Sequence, residues 1–290
     1  MNTKVAIFEP IYAQDQVQVE KSFLPLVIQD NSQAGWREFK LFVDMYRSGE
    51  HRRHAYTGIF SPKFSLKSKI TGAEFIRFVQ SQPGSDVCFI NPFPQIGYWS
   101  FNVWMQGEHA HPGLADAAQS LLDACKVDFD IERTPRHGPG LLAYSNFWVG
   151  SERFWDEYVG GVLVRIAEFL EENPDHEVTR KVMEDTTHTD PAPFLPFIVE
   201  RLFSTYISQR PELKIAAYRH GDDGVLDYCV NEYERRLVAR MKQQVDEANA
   251  VGKFDDTIIK QMDIACELWQ QQFFDYFAVR PHPHTGRCVN

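Results

Sequence analysis

Hydrophobic and polar positions switch repeatedly between a period of two and a period near 3.6 over the first three quarters of the chain. Residues 4–8 form a short apolar run closed by Pro10, which predicts a strand. Trp36, Phe39, Phe42/Val43 and Tyr46 then recur at three- and four-residue spacing, with Gly49 as a stop, so a helix is expected there. Residues 55–60 read as a second strand leading into the loop Ser61-Pro-Lys-Phe64. Thr71-Gly-Ala-Glu74 is a capping box, in which hydroxyl and carboxylate satisfy the free amides of a helix start, with Phe75 and Phe78/Val79 facing inward. Residues 86–90 suit a buried strand that the prolines of Asn91-Pro-Phe-Pro94 end. A helix beginning at His111-Pro112 follows, lined by Leu114, Ala118, Leu121/Leu122 and Cys125.

Residues 141–149 predict another strand. Ser151 caps an amphipathic helix that runs from Phe154/Trp155 to Phe169/Leu170 and closes at Asn173-Pro174. Residues 174–193 are polar and read as a loop, 194–208 as a helix and 213–218 as a short strand. Beyond them the pattern changes. Val230, Tyr233, Leu237, Met241 and Val245 form one stripe. Asp255/Asp256 cap a second helix with Ile259, Met262, Cys266, Trp269 and Phe273 inside. Two long helices with a short link containing Gly252 predict an antiparallel α-hairpin, set on the body or on a second copy of the chain as a homodimer.

Alternating strands and helices over residues 4–218 indicate an α/β architecture with a mostly parallel sheet. The division expected is a domain over residues 1–222 and a helical extension over 223–290. Ligands of such sheets sit outside the carboxyl ends of the strands, which directs attention to the loops after Phe8, Phe60, Ile90 and Val149.

Composition narrows the classes. The 290 residues carry 30 Lys+Arg against 40 Asp+Glu, a net charge of −10, which argues against nucleic acid as the main partner. At 43% hydrophobic residues the chain is not disordered in type, yet no apolar stretch approaches the ~20 residues of a membrane span. No secretory leader pattern opens the sequence. The five cysteines are widely spaced without a C-x-x-C pair, so reduced thiols in the cytoplasm are expected.

Candidate chemistry is scattered. Dinucleotide, P-loop and nucleophile-elbow signatures are all missing from the sequence. Asp128-Phe-Asp130 places two carboxylates at a spacing suited either to a divalent cation or to a solvated strand edge. In Gly107-Glu-His-Ala-His-Pro-Gly113, an extended backbone would point His109 and His111 to one side, toward a substrate or phosphate; otherwise His111 caps the next helix. The segment 61–69 sets three lysines after a strand, and Lys63 there is either solvated or a counter-charge for a diphosphate. Glu200-Arg201 lies on the side of its helix away from Leu195, Ile198 and Leu202, as a solvent-facing ion pair or as a cleft carboxylate. Tyr98, Trp99, Phe101 and Trp104 crowd one strand end, as core or as a platform for a base or sugar.

Four segments, in order, resemble a known group: Tyr56-Thr-Gly-Ile-Phe-Ser-Pro-Lys-Phe64, Asp86-Val-Cys-Phe-Ile-Asn-Pro-Phe-Pro94, Tyr144-Ser-Asn-Phe-Trp-Val-Gly-Ser-Glu-Arg-Phe-Trp155 and Val199-Glu-Arg-Leu-Phe-Ser-Thr-Tyr206. They are similar to glycosyltransferase-like proteins of bacterial capsule and O-antigen loci with a GT-A-type fold, over residues 4–218. The resemblance implies transfer of a sugar from a nucleotide-activated donor to a glycan acceptor. Lys63, Asn91, Asn146, Trp104 and His109 would then hold donor or acceptor, and Glu200 or His111 would act as base or acceptor-orienting group. The D-x-D usual after the central strand is replaced here by Asn91-Pro-Phe-Pro94. A divalent cation, Mn²⁺ or Mg²⁺, would therefore fall to Asp128 and Asp130, one element later. The competing reading is a non-catalytic carbohydrate- or partner-binding protein on a degenerate transferase fold.

Overall fold

The computed structural model describes residues 4–186, 192–221 and 224–288. Chain order is β1 (Val5–Ile11), β2 (Leu24–Val27), α1 (Glu38–Ser48), β3 (Tyr56–Ile59), α2 (Phe64–Ser68), α3 (Gly72–Gln80), β4 (Val87–Phe89), α4 (Val103–Ala110) and α5 (Leu114–Ala124). After them come β5 (Trp148–Gly150) and one continuous helical segment: α6 (Glu152–Phe154), a π-helical stretch Trp155–Leu163 and α7 (Val164–Glu172). The remainder is α8 (Glu177–Val182), β6 (Asp185–Thr186), β7 (Ala192–Pro193), α9 (Phe194–Ser208), β8 (Ile215–Ala217), α10 (Glu232–Val251) and α11 (Asp256–Ala278).

Six strands form one sheet in the order β2-β1-β3-β5-β4-β8, and all pairings are parallel except those of β5, which runs against both β3 and β4. β1 and β3 are fixed by the register Val5↔Tyr56 to Phe8↔Ile59, β4 and β8 by Val87↔Ile215 to Phe89↔Ala217. β2, an edge strand with Pro25 inside it, has no alternating pattern to announce it. The buried carboxylate of Glu9 holds its approach by accepting the Val19 and Glu20 amides at 2.6 and 2.9 Å. The mostly parallel α/β expectation is met. The strand expected over 141–149 is reduced to its last two residues plus Gly150, and its direction is reversed.

Strand side chains alternate between two apolar layers, as the pleat requires. Ala6, Phe8, Val87, Phe89 and Trp148 face the larger layer, built on α1, the π-helical stretch, α5 and α9. Ile7, Phe60, Cys88, Ile90, Phe147 and Val149 face the smaller one, where Phe64 of α2 and Phe75 of α3 cover them. The Thr71–Glu74 capping box forms, with Glu74 N–H donating to Thr71 Oγ1 at 3.2 Å and Thr71 N–H to Glu74 Oε2 at 2.7 Å. At Gly58 β3 runs close against β5; a Cβ there would lie 2.5 Å from the Trp148 carbonyl oxygen.

Other expectations change in detail. Residues 174–193 hold α8, β6 and β7, while residues 187–191 lie outside the described set. α9 is not amphipathic in use: Arg201 is buried along with its apolar neighbours, because α4 and α5 pack on the side that reads as polar. In α10 the inward stripe is Glu234, Val238, Met241, Val245 and Ala248, one position round from the stripe through Tyr233, which is exposed. α10 and α11 meet over Met241, Val245 and Met262, and Val238, Cys266 and Trp269 join the same apolar core as the sheet's larger layer. The five cysteines are free, and no helix among the described residues is long and apolar enough to cross a membrane.

Candidate functional site

The reversal of β5 decides where the site lies. β3 and β4 end, and β5 begins, at the same edge of the sheet, so the segment before β5 meets the loops after β3 and β4. The loop expected to matter after Val149 therefore sits at the far edge, and Ser145-Asn146 takes its place. A cavity of about 510 Å³ opens between these segments, α9, α10 and α11. It has the size and mixed apolar–polar lining of a small-molecule site.

Its polar wall is built by a few contacts. Ser145 and Asn146 both take positive φ, 65° and 53°, which L-residues adopt rarely. Glu200 Oε1 holds this turn by accepting the Ser145 amide at 2.7 Å, and Lys67 Nζ donates to Ser145 Oγ at 2.9 Å. The Lys67 ammonium also lies 5.6 Å from the centroid of the Phe93 ring. Arg37, at φ 48°, and Lys63 line the same cavity, so three cationic side chains converge there. Burial lowers the Lys67 pKa against the opposing pull of Glu200; the ammonium has lost much of its water without a direct carboxylate partner among the described residues. Arg201 braces the wall from behind. Its Nε donates to the Val103 carbonyl at 3.0 Å, Nη1 to the Phe197 carbonyl at 2.9 Å, and Nη2 to Gln106 Oε1.

Another part of the cavity wall is aromatic. Trp99, Trp269, Phe273 and Phe197 line it, with Tyr144, whose buried hydroxyl has no hydrogen-bond partner among the described residues and whose pKa burial raises strongly. His111 stacks on Phe197 with ring centroids 3.9 Å apart, and its Nδ1 is 3.1 Å from Thr186 Oγ1. Glu234 reaches this wall from α10, accepting the Val230 amide at 2.7 Å and Trp99 Nε1 at 3.3 Å. Burial raises its pKa to about 7, although those hydrogen bonds favour the ionised form. A carboxyl whose folded-state pKa exceeds its unfolded one stabilises the fold at low pH and loses that contribution as pH rises. Unfolding free energy is accordingly expected to fall by roughly 3 kcal/mol between pH 4.5 and 7 from this group, and Glu234→Gln to flatten that slope in denaturant titrations.

Of the residues singled out in the sequence, Lys63, His111, Asn146 and Glu200 come together in the cavity. Asn91 does not line it: its side chain closes its own turn, accepting the Phe93 amide at 3.0 Å and donating to the Phe93 carbonyl at 3.2 Å. Trp104 is core, its Nε1 donating to Thr205 Oγ1 at 2.9 Å. His109 and His111 do not share a side, because residues 103–110 are helical. His109 instead pairs with Asp263 at 2.8 Å in a groove outside the cavity. Asp128 and Asp130 belong to that groove too, in an irregular connection rather than a strand, and Arg133 engages Asp130 at 3.3 Å. No group of three or more His, Cys, Asp or Glu able to hold a metal ion occurs among the described residues.

Lys67, Arg37, Glu234, Tyr144 and the aromatic rings of α11 were not readable as site residues. Only Lys67 carried a signal, lying one helical turn beyond Lys63. No protein-family model matches the chain, and no curated protein or solved structure matches it.

Proposed function

We propose that the cavity binds a nucleotide-activated sugar and that the protein transfers this sugar to a glycan acceptor, on a GT-A-like sheet, in surface-polysaccharide synthesis. The observation that carries this reading is the convergence of Arg37, Lys63 and Lys67 with aromatic rings in one cavity beside the carboxyl ends of β3 and β4. Cations at that edge suit a diphosphate, and flat rings suit a base or sugar face. In the transfer, the bond between the anomeric carbon and the phosphate oxygen breaks and its electron pair leaves with the diphosphate. Lys63 and Lys67 stabilise that developing charge. The acceptor hydroxyl oxygen bonds to the anomeric carbon, and Glu200, already fixed by the Ser145 amide, receives its proton. Asn146 and His111 flank this carboxylate as groups that position sugar hydroxyls. Asp128 and Asp130 take no part in the arrangement.

A thermal-shift screen of nucleoside diphosphates and nucleotide sugars, with and without Mn²⁺ or Mg²⁺, tests the reading. At a hundredfold excess over Kd, a bound nucleotide adds about 2.7 kcal/mol to stability, an increase of several degrees in Tm. No shift with any nucleotide would overturn it. Binding without sugar transfer to any acceptor glycan would instead favour the non-catalytic alternative.

A further inference from the structure

The segment after α11 turns back onto the cavity. His282, His284 and Thr285 line it together with Lys63 and Lys67. The turn is held internally, with the His282 amide donating to the Arg287 carbonyl at 2.8 Å and the Gly286 amide to the His282 carbonyl at 2.7 Å. Its anchor is aromatic: the His282 ring packs against Phe273 and Phe277 of α11 at 5.5 and 4.7 Å. The His284 ring lies 5.6 Å from Phe93, the same ring that carries the Lys67 ammonium. Neither ring nitrogen of His284 has a hydrogen-bond partner among the described residues; only its backbone amide bonds, to His282 Nδ1 at 3.2 Å.

We infer that residues 279–288 are part of the ligand site, and that His284 donates a hydrogen bond to the same phosphate whose charge Lys67 and Lys63 neutralise. The inference rests on the nucleotide reading above and extends it by a group that no motif marks. An imidazole whose ring nitrogens meet no protein group among the described residues, set beside two lysines in a cavity, is placed to donate to an anion that enters there. The groups facing it explain its state before then. Burial lowers the His284 pKa to about 4, and His282, Lys67, Lys63 and Lys69 push in the same direction. Glu200 and Glu234 lie on the other walls of the cavity. A phosphate seated between His284 and the lysines reverses that local field, so the imidazole gains a proton as the ligand binds.

The sign follows from linkage. A ligand that prefers protonated His284 binds most tightly at low pH, and that advantage disappears as pH rises from about 4 through the pKa of the bound state. The test is isothermal titration of the full-length protein with uridine and guanosine diphosphates, in buffers of different ionisation enthalpy, between pH 5.5 and 7.5. His284→Phe keeps the ring contact with Phe93 and removes the nitrogen; His284→Gln keeps a donor that does not titrate. Wild-type protein is expected to take up about half a proton more than either variant near pH 6. Its affinity advantage over His284→Phe is expected to grow by roughly fourfold between pH 7.5 and pH 5.5. His284→Gln is expected to bind with no such growth. Comparing each variant with wild type removes the nucleotide's own titration, and unchanged Tm of the free variants confirms folding. Equal affinity and equal proton uptake in all three proteins would overturn the role of His284 and leave nucleotide binding standing. Absence of binding to the wild type would overturn both.

Discussion

Lys67→Met is expected to weaken nucleoside-diphosphate binding about 100-fold and, at the same time, to raise the thermal stability of the ligand-free protein. The two effects share one cause. The Lys67 ammonium is desolvated, with a hydroxyl and the face of Phe93 as its direct partners, so its pKa is lowered on folding. A base whose folded-state pKa lies below its unfolded value opposes folding at neutral pH, and that opposition fades as pH rises toward the unfolded pKa. Met keeps the stem packed and removes the charge, so Tm of the free protein rises. With a diphosphate bound, the same ammonium makes charge-assisted hydrogen bonds worth about 1.5–3 kcal/mol, which a thioether cannot replace. Differential scanning fluorimetry with and without nucleotide reads both. A variant that loses stability in both states would show Lys67 to be a structural brace rather than a ligand.

Arg201→Ala is expected to destabilise the fold by about 3–5 kcal/mol, a loss on the order of 10 °C in Tm. Arg201 is 2% exposed, and its guanidinium fork ties α4 to α9 through Val103, Gln106 and Phe197. Truncation leaves a cavity and removes three charge-assisted hydrogen bonds together. Gly107 supplies an internal check. A Cβ at that position would lie 2.4 Å from Arg201 Nε and 2.7 Å from Leu114 Cδ2, so the glycine makes room for the fork. Gly107→Ala alone is expected to be destabilising, whereas its cost falls once Arg201 is Ala, because the new methyl group enters vacated space. Urea denaturation of the two single variants and the double variant measures this coupling. Strict additivity would show that the two residues do not share a packing site.

How much of this was legible follows from the range of each interaction. α1, α3 and α9 announced themselves by apolar spacing and, in α3, by the Thr71–Glu74 box, since both signals arise within a few residues. α4 went unread because Gly107, Glu108 and His109 interrupt its apolar face; tertiary contacts to α5, α9 and α11 hold it. β2 went unread because three of its four residues are exposed. Within the site, Lys63, His111, Asn146 and Glu200 were recognisable as side chains with chemistry to offer. Lys67 was visible only as one more basic residue of a polar loop, and Glu234 was not marked at all; the structure shows it at a helix start capped by Asn231.

The −10 net charge and the aromatic richness were fixed by composition, and both proved poor guides to placement. The sequence by itself determined the alternation of strands and helices, the caps that start α3 and α11, and the exclusion of a membrane-spanning helix among the described residues. Only the tertiary structure decided that β5 runs antiparallel. That one reversal brings Ser145-Asn146, rather than the loop after Val149, beside Lys67 and Glu200. Strand direction depends on where residues distant in sequence find apolar partners, and a period of two reads the same in either direction. Likewise, tertiary packing alone set Arg201 in the core and His284 against Phe93, because burial and electric field are properties of neighbours that a linear pattern does not contain.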